Sequence, residues 1–217
     1  MSLDAGESEL DGTCPFCMPT TLHTILEVTE HFFVLADHAP LIEGHALIVP
    51  RVHYACYGAL PRELRDEFLT LKRTVAAFFA AMYKPAVFFE HGVFRQTVFH
   101  AHLHAFPFGH IPIDICEAAQ PDGRIVRSLE DLHAWYAERG HYFYLEQPPQ
   151  AGHRAMAAVF PPSEARYFAV LGMLRETASA QGGWDPPAVR RMLGVPKMRA
   201  LAAKWREYQA REWPQGD

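Results

Sequence analysis

Between Gln96 and Phe108 the chain reads Q-T-V-F-H-A-H-L-H-A-F-P-F, with His100, His102 and His104 at every second position. Small or apolar residues separate them. A period of two is that of a β-strand, in which residues i, i+2 and i+4 share a face. The pattern predicts a strand over 97–107 with three imidazoles on one face and Phe99, Ala101, Leu103 and Ala105 on the other. A neutral imidazole is a good nucleophile toward phosphorus, and its neighbours can hold its tautomer or donate to phosphate oxygens. A strand keeps such donors rigid, as stabilisation of developing charge requires. Gln96 and Thr97 add neutral donors just upstream. On the residues alone, a metal-binding or plain surface histidine face is the alternative.

The same periodicities organise the rest of the chain. Residues 21–30 and 31–40 read as two strands joined by a tight turn at Thr29-Glu30, and Ala46–Val49 as a third strand ended by Pro50. Leu64, Phe68, Leu71, Val75 and Phe78 recur at helical spacing between Pro61 and Tyr83, and a strand over 86–92 follows. This order gives an α+β layout. Beyond residue 110 the expectations are a helix over 128–139, strands over 141–147 and 154–160, a helix capped by Ser163 and running to Ala180, and a last helix over 196–211. The organisation predicted is a catalytic domain over 12–110 with a mixed α/β extension, 111–217, packed on it.

Composition narrows the function classes. Apolar residues make up 49% of the 217 and charged residues 21%, as in a cored globular chain. A net charge of −5 gives no basic footprint for nucleic acid, while small anionic ligands remain compatible with it. No apolar run is long enough to span a membrane, and the acidic N-terminal segment lacks the pattern of a secretory signal, so a cytoplasmic protein is expected. Four cysteines are too few for a disulfide scaffold at this length, and Cys14-Pro-Phe-Cys17 reads as a metal or redox motif. Cys56 reads as a buried spare.

Taken with D-H-A-P-L-I-E-G-H-A-L-I-V-P-R-V-H over Asp37–His53, the Q-T-V-F-H-A-H-L-H-A-F stretch resembles the histidine-triad (HIT) signature. The resemblance runs from about residue 14 to 110, roughly half the chain. It implies a HIT-like fold, an antiparallel sheet of about five strands packed with a long helix. It also implies a nucleotide hydrolase or nucleotidyltransferase that works through a covalent nucleotidyl-histidine. His102 would be the nucleophile, His104 would contact the scissile phosphate and help the leaving group, and His45 would support them. Gln96 and Thr97 match phosphate-touching positions, and Asp37 matches a residue that binds ribose hydroxyls. Homodimers are implied too, since such a half-length domain usually pairs through its helix and a strand.

Cys14 and Cys17 supply half of a tetrahedral site. A subset of bacterial histidine-triad proteins has a similar N-terminal pair with histidines at the places of His53 and His100, which implies a structural zinc ion on these four residues. The loop Glu90-His91-Gly92-Val93-Phe94-Arg95 departs from the family's pattern, in which an Asn or Gln precedes a Gly-rich loop. Glu90 is expected either to meet a substrate group or to pair with Arg95. Arg154 and Arg166 read as surface residues, the alternative being contact with phosphate beside the Ser163 cap. Two other functions fit the motifs: a nucleotide sensor with little turnover, and a metal-dependent phosphohydrolase using the three-histidine face.

Overall fold

The computed structural model describes residues 14–18, 24–149 and 156–212. The acidic N-terminal segment and Arg154 lie outside them. Eight strands form one fully antiparallel sheet in the order β1-β2-β3-β5-β4-β7-β8-β6. They are β1 (Thr24–Val28), β2 (Phe32–Ala36), β3 (Ala46–Pro50), β4 (Val87–Glu90), β5 (Leu103–Phe106), β6 (Arg124–Val126), β7 (Phe143–Gln147) and β8 (Met156–Phe160). Five helices accompany them: α1 (Arg65–Met82), α2 (Ile115–Ala118), α3 (Leu129–Arg139), α4 (Glu164–Ala180) and α5 (Pro187–Glu212).

The sheet is larger than the expected five strands because the C-terminal half extends it. β7 pairs with β4 along Phe88↔Glu146, Phe89↔Leu145 and Glu90↔Tyr144, so the sheet passes residue 110 without a break. The histidine strand is shorter than expected. Only His104 lies within β5, while His100 ends the bend of residues 97–100 and His102 lies in the short segment that leads into the strand. Alternation persists from Ala101 to Phe106, but Phe99 falls outside it and is exposed. Helix α5 starts nine residues before the expected position 196 and holds Pro196 in its interior, where the missing N–H breaks one rung of the helix ladder.

Strand parity divides the core. Phe32, Val34, Ile48, Leu103, Ala105, Phe88 and Val159 point to one face, against the buried side of α1 (Phe68, Leu71, Val75, Phe78, Phe79) and the α5 residues Trp205 and Tyr208. Each such fully buried side chain contributes about 1.5–3 kcal/mol. Val87, Phe89, Phe106, Phe143, Leu145 and Phe160 point to the other face, under Val170, Leu174 and Ala178 of α4, which Ser163 caps by accepting the Arg166 N–H at 3.2 Å. Further along that second face, Leu35, Leu47 and Val49 pack on Cys14, Phe16 and Cys17. The histidines lie over β5, between these two coverings. Among the described residues, no helix is long and apolar enough to cross a membrane.

Candidate functional site

The β2–β3 hairpin builds one wall. Asp37 N–H donates to the His45 carbonyl at 3.1 Å, closing a loop that turns on Gly44 at φ 93°. A Cβ on Gly44 would stand 2.8 Å from Pro107 Cγ, so both the dihedral and the close approach require glycine. His45 is thereby fixed beside β5. Its Nδ1 accepts the Leu41 N–H at 3.2 Å, its Nε2 lies 2.9 Å from His104 Nδ1, and Asp37 Oδ2 lies 3.3 Å from its Nδ1. With the Leu41 N–H on Nδ1, the proton of neutral His45 sits on Nε2 and is donated to His104 Nδ1. The remaining proton of His104 is then on its Nε2.

His102 is oriented by its own backbone neighbourhood. Its Nδ1–H donates to the His100 carbonyl at 2.6 Å, which leaves the lone pair on Nε2. The ring lies 4.9 Å from that of His104 and 5.1 Å from Phe16. Burial lowers the pKa of His102, opposed by the His100 carbonyl and the Asp37 charge. Burial also holds His104 well below the ordinary range, helped by His102, His45 and His91, and takes His45 down to about 4 despite Asp37. The imidazoles are therefore neutral near pH 7, as a histidine nucleophile needs.

His91 belongs to this cluster and was not singled out from the sequence. It ends β4, directs Nδ1–H to the Phe94 carbonyl at 3.2 Å, and brings its ring to 5.7 Å from His104 and 6.3 Å from His102. Burial takes it, too, to about 4. The available signal was its place one residue past a strand whose Phe89 faces His104. Tyr167 of α4 stands 5.9 Å from His91, so the C-terminal half contributes to the wall.

Glu90 is placed differently from expectation. Its parity puts it on the opposite face of the sheet from His104, where Oε1 accepts the Tyr57 N–H at 2.7 Å and Oε2 the Tyr142 hydroxyl at 2.6 Å. Nor does it pair with Arg95, which bonds Glu164 and stacks over Tyr167 and Phe168. Gln96 is buried and anchors the loop by donating to the Ala55 carbonyl at 3.2 Å, while Thr97 is exposed in the bend before His100. In that loop Val93 (φ 75°) and Arg95 (φ 52°) hold left-handed backbone conformations that cost a β-branched residue most. Arg166 is engaged by Asp122 and the Pro161 carbonyl.

His100 turns away from the other two histidines. Its Nε2–H donates to the Pro50 carbonyl at 2.7 Å, presenting Nδ1 to Cys14 Sγ at 3.5 Å and Cys17 Sγ at 3.6 Å. His53 Nδ1 lies 3.5 Å from Cys17 Sγ, and the four ligand atoms fall within 4.8 Å of one another. These residues could hold a metal ion, and the Pro50 bond fixes the tautomer that a ligand needs. Because His100 is committed here, the three histidines do not form one three-ligand face. Cys56 is separate and fully buried, its thiol pushed up to about 12 chiefly by burial.

A sheet face that carries the Gln-Thr-Val lead-in, the spaced histidines and a glycine–histidine hairpin beside them defines a protein of the histidine-triad type. Residues 6–119 match the family described as "Protein similar to CwfJ C-terminal", and the chain belongs to that family. Among curated relatives, the zinc finger CCCH domain-containing protein 59 of Oryza sativa is 26% identical over 160 residues, covering 64% of this chain. Adenosine 5'-monophosphoramidase HNT1 of Saccharomyces cerevisiae is 33% identical over 105 residues, 45% of this chain. The chain spans 25% of the length of the rice protein and 64% of the yeast protein. A HIT-like protein of Mycoplasma genitalium is 28% identical over 109 residues, covering 46% of this chain and 77% of that protein. A solved HIT family protein from Bacillus anthracis aligns at 21% identity and a TM-score of 0.41, covering 59% of this chain and 96% of that one.

Proposed function

We propose that the protein is a nucleotide hydrolase or nucleotidyltransferase that acts at the α-phosphate of a nucleotide conjugate or dinucleoside polyphosphate. The observation that carries this reading is the 2.6 Å bond from His102 Nδ1–H to the His100 carbonyl, which leaves a neutral Nε2 lone pair on a ring 4.9 Å from that of His104. His102 Nε2 attacks phosphorus, the phosphorus–nitrogen bond forms, and the bond to the leaving group breaks. His104 Nε2–H donates a hydrogen bond to the phosphate or to the departing atom, which takes its proton from solvent, and the His45 Nε2–H bond to His104 Nδ1 holds His104 in that tautomer. Water or another acceptor then attacks the nucleotidyl-histidine, the phosphorus–nitrogen bond breaks, and the nucleotide leaves. Asp37 would take a ribose hydroxyl. The yeast relative is an adenosine 5'-monophosphoramidase, an activity of this chemical kind.

Cys14, Cys17, His53 and His100 would hold zinc. Bond lengths of about 2.3 Å to sulfur and about 2.0–2.1 Å to nitrogen give tetrahedral sulfur–nitrogen edges of about 3.6 Å. The observed edges are 3.5, 3.5 and 3.6 Å. Such an ion has no open position and supplies folding free energy, tying the N-terminal segment to the segment that carries His102. On this reading residues 12–110 carry the chemistry and residues 111–217 complete its walls.

The test is incubation of the protein with a panel of nucleotide conjugates, followed by quench and intact mass. A nucleotidyl adduct that is absent in His102→Asn supports the reading. Tight binding without turnover would instead make the protein a sensor, and turnover lost on chelation from a still-folded protein would make it a metal-dependent hydrolase.

A further inference from the structure

The proposed reaction leaves one proton unassigned. In its second step a neutral nucleophile, water or another hydroxyl or amine, attacks the nucleotidyl-histidine and must lose a proton as the phosphorus–nitrogen bond breaks. His102 is then bonded to phosphorus through Nε2, and its Nδ1–H is held by the His100 carbonyl. His104 has its Nδ1 lone pair on the His45 Nε2–H and presents only a proton from its own Nε2. Such a donor draws on the lone pair that an attacking oxygen needs and takes no proton from it. His91 offers the opposite. Its Nδ1–H donates to the Phe94 carbonyl at 3.2 Å, so its Nε2 carries a lone pair. That atom has no hydrogen-bond partner among the described residues. The side chain also reaches solvent, whereas that of His102 is buried.

The fold holds His91 beside the reacting pair. Continuing the register Phe89↔His104 by two residues sets His91 level with His102 and on the same face. Its ring stands 6.3 Å from that of His102 and 5.7 Å from that of His104. Tyr142 clamps the residues on both sides of it, its hydroxyl donating to Glu90 Oε2 at 2.6 Å and its N–H to the Gly92 carbonyl at 3.3 Å. A Cβ on Gly92 would stand 2.3 Å from the Tyr142 carbonyl oxygen, so this clamp requires glycine. Burial keeps the His91 imidazole neutral near pH 7, and the negative charge of a bound phosphate favours its protonated form. We propose that His91 is a further catalytic histidine, the proton acceptor for the nucleophile that releases the nucleotide from His102. With water, the oxygen–phosphorus bond forms and the electron pair of the phosphorus–nitrogen bond returns to His102 Nε2. The proton of the water passes to His91 Nε2 and from there to solvent. This assignment deepens the reading given above and rests on it.

Rapid quench and intact mass on the full-length protein separate the two steps, with adenosine and guanosine 5'-phosphoramidates as probes. In His91→Gln and His91→Phe the adduct is expected to form within a few fold of the wild-type rate. It should then decay about 10²-fold or more slowly, the usual contribution of a general base, and so accumulate. Fluoride, an anionic nucleophile with no proton to lose, should restore decay in both variants and give the nucleoside 5'-phosphorofluoridate. A merely structural loss would not be rescued in this way. Thermal melts confirm that each variant is folded. Adduct decay at the wild-type rate in both variants would overturn the assignment while leaving the nucleotide reading intact. Equal slowing of both steps without rescue by fluoride would overturn it too. Absence of any adduct from wild type and variants alike would remove both proposals together.

Discussion

His100 and His102 share one backbone carbonyl as their link: the His102 Nδ1–H donates to the oxygen of His100, whose own ring faces Cys14 and Cys17. The residue that could hold a metal thus also sets the tautomer of the residue proposed to attack phosphorus. Two neighbours on one segment therefore have separable roles, and substitutions should separate them.

His102→Asn should abolish turnover and adduct formation while leaving nucleotide binding within a few fold. His104→Asn removes a donor and should lower the rate by about 10²–10³-fold, the usual effect of one preorganised donor. His100→Asn should lower metal content and the thermal midpoint first. Single-turnover rates, intact mass and metal analysis on the three variants decide this. Equal loss of rate and metal in all three would favour the metal-dependent alternative.

Zinc should copurify at about one per chain, and the four-ligand site should release it only under strong chelation. Elemental analysis of the wild-type protein and of Cys14→Ser gives the answer. Zinc-free protein with an unchanged melting temperature would reduce the cluster to hydrogen-bonded side chains.

Glu90 gives a pH signature of the opposite sign from most carboxylates. Burial raises its pKa from the ordinary 4.5 to about 7, against the bonds from Tyr142 and Tyr57. Between those values the folded state holds a proton that the unfolded state has lost, so this contribution is present below pH 4.5 and is lost as pH rises to 7. Its size is on the order of 3 kcal/mol. The buried histidines, depressed to about 4, oppose it by losing stability as pH falls through their range. The readout is therefore the difference between wild type and Glu90→Gln in urea midpoints from pH 5 to 7.5. That difference should shift in favour of the variant as pH rises, and a constant offset would show Glu90 ionised throughout.

Gly44→Ala should cost about 1–3 kcal/mol, from the positive φ and the 2.8 Å approach to Pro107. Since the same turn places His45, turnover should fall along with stability. Thermal denaturation and initial rates check both, and an unchanged protein on both counts would mean that the hairpin accommodates a Cβ.

The sequence made the strands of the first half legible because their alternation is set by burial on a single face. The Ser163 cap and helix α3 were legible from local chemistry. Strand β6 was not, because three residues from Arg124 to Val126 carry too little period to stand out. The orientation of Glu90 was within reach: it follows Phe89, which pairs with His104, so parity alone sends it to the far face. The loop's departure from the family pattern left substrate contact and pairing with Arg95 as the two expectations, and neither used that parity.

Pairing of β7 with β4, and packing of Trp205 on Phe78 at 4.7 Å, cover from within the chain a strand edge and a helix face that would otherwise be open to a second copy. An assembly made by two molecules weakens on dilution, whereas one made within a chain does not. The specific rate should then hold constant down to nanomolar protein, and light scattering should give a particle of 24.6 kDa. A rate per chain that falls on dilution would show that a second copy is still needed, docked on the outer edges at β1 or β6.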